Sequence, residues 1–217
     1  MTVTILEQLS DAVENGQVKL VKELVPQAME AGLSAQSILE DGLLHGMNII
    51  GDAFTRDEVF VPEVLIAARA MNKGVELIKP MLAEEGATTI GKACIGTVQG
   101  DLHDIGKNIV RLMLESRNIE VLDLGVDVAP ETFIKTAQEE HCDLICCSAL
   151  LSTTMPVMKQ VVDAASAAGI RDSVRIMVGG APVTQAFCDE IGADAYTADG
   201  NAAAVRAAEL IAEKRGA

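Results

Sequence analysis

ACIGTVQGDLHDIGKNIVRLMLESR, residues 93 to 117, passes from an apolar run into a helical segment with no hairpin turn between them. Ala93 to Val98 read as a buried strand, 105 to 117 reads as a helix, and Asp101, His103 and Asp104 fill the gap. The same rhythm of strand, turn and helix continues to the C-terminus. Strands are read at 93 to 98, 119 to 123, 142 to 148, 174 to 178 and 194 to 196. Helices follow near 105 to 117, 130 to 140, 154 to 168, 182 to 191 and 201 to 213. Such alternation specifies an α/β domain, a doubly wound five-stranded parallel sheet in the flavodoxin-like order 2-1-3-4-5. The crevice at the carboxyl ends of strands 1 and 3 is then the default ligand site.

Upstream, the period is helical as far as about Glu85. Ile5, Leu9, Ala12 and Val13 form one apolar face. Val18, Val21, Leu24, Val25 and Ala28 form a second, which Pro26 is expected to bend or interrupt. Ser34 is a candidate N-cap for a third helix carrying Ile38, Leu39, Leu43, Met47, Ile49 and Ile50. VPEV at 61 to 64 opens a fourth, with Pro62 in the first turn, that runs through Leu65, Ala68, Met71 and Val75 to about Leu82. Four helices with short connections make a small bundle. The expected domains are residues 1–88 and residues 89–217, with GATTIGK at 86 to 92 as the junction.

A formal net charge of -15 disfavours nucleic acid or an anionic membrane as a partner, because either surface would repel the protein. With no Trp and one Tyr, base stacking has little to work with. Cys94, Cys142, Cys146, Cys147 and Cys188 are odd in number, sit mostly in apolar runs and lack CxxC spacing. They read as small buried hydrophobes in a reducing cytoplasm. The N-terminus has no basic n-region, and no apolar run approaches a membrane span, so a soluble cytoplasmic protein is expected.

In the order 2-1-3-4-5, three unusual loops meet at one crevice: Asp101 and His103 after strand 1, Ser148 closing strand 3, and Gly179-Gly180 after strand 4. Common alternatives fail on the same residues. A P-loop requires GxxxxGK[ST], and Asn108 stands where the metal-binding hydroxyl belongs. A phospho-acceptor domain requires an aspartate where Ser148 lies, a flavin site requires aromatic walls, and GTVQGDLHDIG lacks the GxGxxG spacing. What remains is an imidazole with a carboxylate two residues away, a pairing that suits a metal ligand whose second nitrogen is held by a carboxylate. An isolated DLHD tetrapeptide is read more readily as a helix cap, by roughly two to one.

DLHDIG at 101 to 106, SAL at 148 to 150 and GG at 179 to 180 match the DxHxxG, SxL, GG signature of cobalamin-binding domains. The intervals also fit, with 41 residues between Gly106 and Ser148 and 28 between Leu150 and Gly179. GMNIIGDAF at 46 to 54, FVPEV at 60 to 64 and AARAM at 67 to 71 resemble the helical cap of the same family, so the resemblance covers nearly the whole chain. The chain is similar to the cobalamin-binding module of methionine synthase and to the free-standing corrinoid proteins of methyltransferase systems.

The resemblance implies cobalamin or a related corrinoid bound base-off, with His103 as the lower ligand of cobalt and Asp101 hydrogen-bonded to its imidazole. Thr154 takes the place of a serine that extends this relay in methionine synthase. Ser148, Gly179 and Gly180 would line the channel for the displaced nucleotide tail. Thr97, Gly100, Leu102, Asp104, Ile105, Gly106, Leu150 and Ser152 are counted with them as cofactor-binding. Tyr196 is either a contact to the corrin edge or a core tyrosine. Phe54 and Val61 match positions that shield the methyl-bearing face, although their pattern alone is that of bundle core. Gly42, Gly46 and Gly51 are costly in a helix, at roughly 1 kcal/mol each against alanine, and imply that a macrocycle or another helix comes close. Asp101→Asn is expected to leave corrinoid binding largely intact, because Asp101 does not touch cobalt.

The activity implied is methyl carriage. A cob(I)alamin centre takes a methyl group from a substrate-specific methyltransferase, and the methylcobalamin form yields it to a second, tetrahydrofolate- or thiol-dependent methyltransferase. A reductive activase is the third expected partner, and the protein is then a cofactor-carrying subunit, not a complete enzyme. A corrinoid sensor or regulatory module and the small subunit of a B12-dependent mutase are the alternatives. Methanol, methylamines, betaines and methoxylated aromatics are all open as donors.

Overall fold

A computed structural model describes residues 4–84 and 89–216. The chain divides into two units, Met1–Thr88 and Thr89–Ala217. Residues 85–88, where the junction is expected, lie outside the described residues.

The first unit is helical. Helix α1 (Ile5–Glu14) begins with a capping box: Thr4 Oγ1 accepts from the Glu7 amide at 3.2 Å, and the Glu7 carboxylate accepts from the Thr4 amide at 2.6 Å. Helix α2 (Val18–Glu30) continues through Pro26, so the expected interruption is absent. Burial of Val21, Leu24, Val25 and Ala28 outweighs the one hydrogen bond that proline removes. Ser34 caps α3 (Ala35–Ser37), its hydroxyl accepting from the Ser37 amide at 3.1 Å. The helix passes through a π-helical stretch, Ile38–Leu44, into α4 (His45–Thr55), and α5 (Val61–Glu84) completes the bundle. Two of the three glycines have a simple cause. A Cβ on Gly46 would collide with the Ser10 carbonyl, and one on Gly42 would sit 3.3 Å from the Leu9 side chain. Both neighbours belong to α1, so at these positions another helix comes close.

The second unit runs β1 (Gly91–Thr97), α6 (Ile105–Glu115), β2 (Ile119–Asp123), α7 (Pro130–Glu139), β3 (Leu144–Ser148), α8 (Met155–Ala167), β4 (Arg175–Gly179), α9 (Gln185–Ile191), β5 (Ala195–Tyr196), α10 (Gly200–Gly216). All pairings are parallel and the order is β2-β1-β3-β4-β5. Strand β3 starts two residues later than its apolar run, since the Cys142 amide still bonds the Ala137 carbonyl of α7 at 3.0 Å. Helix α9 starts at Gln185 because Thr184 caps it, accepting from the Phe187 amide at 3.2 Å. Phe133, Ile145, Cys147, Met158, Val161 and Val178 fill the core between the sheet and its helices. All five cysteines are buried and unpaired.

Asp143 pins the amino end of the sheet. Its carboxylate accepts from the Lys92 amide at 3.0 Å and from Lys214 Nζ of α10 at 2.7 Å. Burial opposes its charge, but Lys214, the Lys92 amide and Arg215 together lower its pKa below the ordinary aspartate value. A depressed folded pKa contributes stability that is complete above the unfolded value of about 3.9 and is lost as pH falls through the folded one. Asp143→Asn is therefore expected to lower unfolding free energy by about 1–2 kcal/mol at neutral pH. That gap should shrink below about pH 4. Urea titrations of both proteins at several pH values check it, and a gap that persists at low pH would remove Asp143 as its source.

Candidate functional site

The register places the three expected loops side by side. Thr97 of β1 pairs with Ser148 of β3, and Ser148 with Gly179 of β4. Tyr196 ends β5 opposite Val178, one residue earlier, and is half-buried against the core. The segments that leave these strand ends therefore share one rim.

Asp101 is the centre of that rim. Its side chain is 0% exposed while that of His103 is 52% exposed. Oδ1 lies 2.6 Å from His103 Nδ1 and also accepts from the His103 amide at 3.1 Å. Oδ2 accepts from the amides of Leu150 and Leu151 at 2.7 and 3.1 Å and lies 3.1 Å from Thr154 Oγ1. The single Thr154 proton is shared between Asp101 and the Leu151 carbonyl, 2.9 Å away. Burial works against the Asp101 charge, yet the bonds from the His103 ring and amide and from the two leucine amides hold its pKa well below the usual carboxylate range. An ionised Asp101 requires a proton on Nδ1, and in the neutral imidazole the lone pair is then on Nε2. Nε2 has no hydrogen-bond partner among the described residues.

The main chain of His103 is equally fixed. Its carbonyl accepts from Thr97 Oγ1 at 2.8 Å. Thr97 is itself fully buried, so its hydroxyl supports the loop from within. Asp104 is the N-cap of α6 without a side-chain cap bond, and its carboxylate accepts from Asn108 Nδ2 at 3.1 Å. The helix-cap reading of His103 fails, since its ring is committed to Asp101. Lys107 is buried and bonded to Asp123 Oδ1 at 2.6 Å and Asn108 Oδ1 at 2.8 Å, which removes it as a phosphate ligand.

The rim is otherwise apolar and exposed. Leu102 and Ile105 are 70% and 74% exposed, and Leu150 and Leu151 on the facing loop are exposed too. Gly106 has nothing within 4 Å of an added Cβ, and Gly179 only the Thr197 carbonyl at 3.9 Å, so open space faces both. Gly180 differs: at φ +129° it is closed against Ala149. Ser152 is exposed beside Leu151. A ring nitrogen held outward among leucines and glycines fits a metal at the centre of a broad apolar ligand.

A family described as "B12 binding domain" matches residues 91–208, and a second of the same description matches residues 5–79. Dimethylamine corrinoid protein 1 of Methanosarcina acetivorans is 42% identical over 209 residues, covering 96% of this chain and 98% of that protein. The chain is a B12-binding corrinoid protein. Trimethylamine corrinoid protein 2 of the same organism is 43% identical over 194 residues, covering 88% of this chain and 89% of that one. Among solved structures, the methanol:cobalamin methyltransferase complex MtaBC of Methanosarcina barkeri includes a chain that is 31% identical, with a TM-score of 0.84, over 96% of this chain and 80% of that chain.

In the helical unit of this corrinoid protein, Phe54 and Val61 are half-buried on either side of the α4–α5 connection, not in the bundle core. Phe60 beside them is 68% exposed, which its place in FVPEV did not reveal. Among the described residues no helix is long and apolar enough to cross a membrane. Asp127 is the second residue missed: its carboxylate accepts from the Gly100 amide at 2.8 Å. Nothing local marks it, because that partner lies 27 positions away in the chain.

Proposed function

We propose that the second unit binds its corrinoid base-off, with His103 Nε2 as the lower ligand of cobalt, and that the protein carries methyl groups between methyltransferases. The observation that carries this reading is the division of labour at His103: Nδ1 is fixed by a buried, ionised Asp101 while Nε2 stays free on an exposed ring. When bound, the corrinoid supplies a cobalt centre that accepts and gives up the methyl group. The chain's own residues orient and shield. Asp101 selects the Nδ1–H tautomer and keeps electron density on Nε2, and Thr154 tunes Asp101 through their 3.1 Å contact. Leu102, Ile105, Leu150 and Leu151 present apolar surface to the macrocycle, and Gly179 leaves room for the nucleotide tail beside Ser148.

The similar chain in a methanol:cobalamin methyltransferase complex supports a methyltransferase partner, and the two methylamine corrinoid relatives favour a methylamine as donor over betaines or methoxylated aromatics. The same relatives favour carriage over a sensor or a mutase subunit. A second methyltransferase using tetrahydrofolate or a thiol, and a reductive activase, complete the proposed system.

Electron paramagnetic resonance of the Co(II) corrinoid complex tests the reading. The wild type should show hyperfine splitting from one nitrogen, and His103→Ala should lose it while still folding, since that ring is half-exposed and supports no core. Splitting that survives in the variant would assign the ligand elsewhere.

A further inference from the structure

The segment Gly100 to His103 is gripped from two sides. One grip is the bonding of Asp101 to the Leu150–Thr154 loop described above. The other comes from the connection between β2 and α7. There the Leu124 amide donates to the Ile95 carbonyl at 2.8 Å, the Thr97 amide donates to the Gly125 carbonyl at 3.0 Å, and the Val128 amide donates to the Thr97 carbonyl at 3.0 Å. These bonds lash the connection to the end of β1. Asp127 then reaches the ligand loop itself. Its Oδ1 accepts from the Gly100 amide at 2.8 Å, and its own amide donates to the Asp101 carbonyl at 3.0 Å.

The geometry at this point is special on both strands of the contact. Asp127 has a left-handed backbone at φ 55°, and Gly100 one at φ 85°. Glycine at position 100 takes up this left-handed backbone without the steric penalty that a side chain would carry. Its amide is held by the Asp127 carboxylate, which has no basic partner among the described residues and accepts no other hydrogen bond. A charged acceptor left without a cation and spent on one backbone amide is well suited to fixing a loop.

We infer that Asp127 is a positioning residue for His103. By holding the Gly100 amide and the Asp101 carbonyl it sets the direction in which the chain leaves β1, and so holds the free imidazole nitrogen where a cobalt ligand is needed before the corrinoid arrives. This rests on the corrinoid reading proposed above. Preorganisation of this kind raises affinity by removing an ordering cost from the binding step.

Two variants of the full chain separate the hydrogen bond from the backbone. Asp127→Gly keeps the left-handed conformation and removes the acceptor, whereas Asp127→Asn keeps both an acceptor oxygen and tolerance of positive φ. In the cofactor-free protein, hydrogen exchange at the Gly100 amide should speed up by about tenfold or more in Asp127→Gly. With Co(II) cobalamin, the same variant should bind about tenfold more weakly and show a smaller fraction with nitrogen splitting. Asp127→Asn should restore all three readouts. Asp127→Gly with wild-type exchange and a wild-type nitrogen-coupled fraction would overturn the inference, as would Asp127→Asn as defective as Asp127→Gly. Absence of nitrogen splitting in the wild type would instead defeat the corrinoid reading, and with it the role assigned to His103.

Discussion

Asp101→Asn is expected to lower the unfolding free energy of the cofactor-free protein by about 3 kcal/mol, and Asp101→Ala by about 3–5 kcal/mol. The sequence alone suggests a mild effect, because Asp101 stands behind the metal ligand. The structure gives the carboxylate a second task. Oδ2 faces the Leu150 and Leu151 amides and the Thr154 hydroxyl, and Oδ1 faces the His103 amide and ring. All are donors, or serve as donors toward an ionised carboxylate. An asparagine must turn its NH2 toward one set or the other, and either choice sets a donor against donors in a fully buried position. The loop after β1 and the loop after β3 would then lose their common anchor, so corrinoid affinity should fall along with stability. Chemical denaturation of the apo variants measures the first effect and titration with Co(II) cobalamin the second. A loss below about 1 kcal/mol for Asp101→Asn would show that the buried amides find other partners. His103→Ala makes the contrast, since its half-exposed ring should cost little stability.

The alternation of apolar runs with amphipathic segments was enough to order the sheet, because that period is local and burial on both faces of a parallel strand leaves little choice. β2 coincides with its reading at 119 to 123. Errors sit where a tertiary partner or a cap decides. Pro26 is expected from the sequence to bend or interrupt α2, and buried Val21, Leu24 and Val25 carry the helix through it. The π-helical stretch Ile38–Leu44 has no local signature, although Gly42 and Gly46 did announce the close neighbour that proves to be α1. At the site, Asp101 and His103 were legible because two residues in one short loop touch each other. Asp127 was not, and neither was the bond that Thr97 makes, because their partners, the Gly100 amide and the His103 carbonyl, are backbone groups that no side-chain pattern encodes. The Lys107–Asp123 pair is hidden for a related reason: it joins α6 to the end of β2, and Gly106-Lys107 by itself suggests phosphate.

The two glycines that close β4 are expected to separate folding from cofactor binding. Both were read as one feature, giving backbone access to a flat ligand. Gly180 has φ +129°, outside the range of ordinary L-residues, and a Cβ built on it overlaps the Ala149 carbonyl oxygen and lies 2.8 Å from its carbon. Gly180→Ala must therefore shift either its own backbone or the Ala149–Leu150 peptide whose amide donates to Asp101. A loss of about 3 kcal/mol or more is expected, without any cofactor present. Gly179 is different, since its φ is not positive and the nearest atom to an added Cβ is the Thr197 carbonyl oxygen at 3.9 Å. Gly179→Ala should keep wild-type stability to within about 0.5 kcal/mol, as expected for a substitution into open space. Its methyl group would nevertheless stand in the channel proposed for the nucleotide tail, between Ser148 and the end of β5. Affinity for Co(II) cobalamin should then drop by about tenfold or more, the equivalent of 1.4 kcal/mol, through steric exclusion. The tail-less analogue cobinamide distinguishes this cause from general damage to the site. Gly179→Ala should bind cobinamide as the wild type does, because only the tail enters the channel. Equal losses for cobalamin and cobinamide would place the added methyl group against the corrin ring and move the tail away from β4.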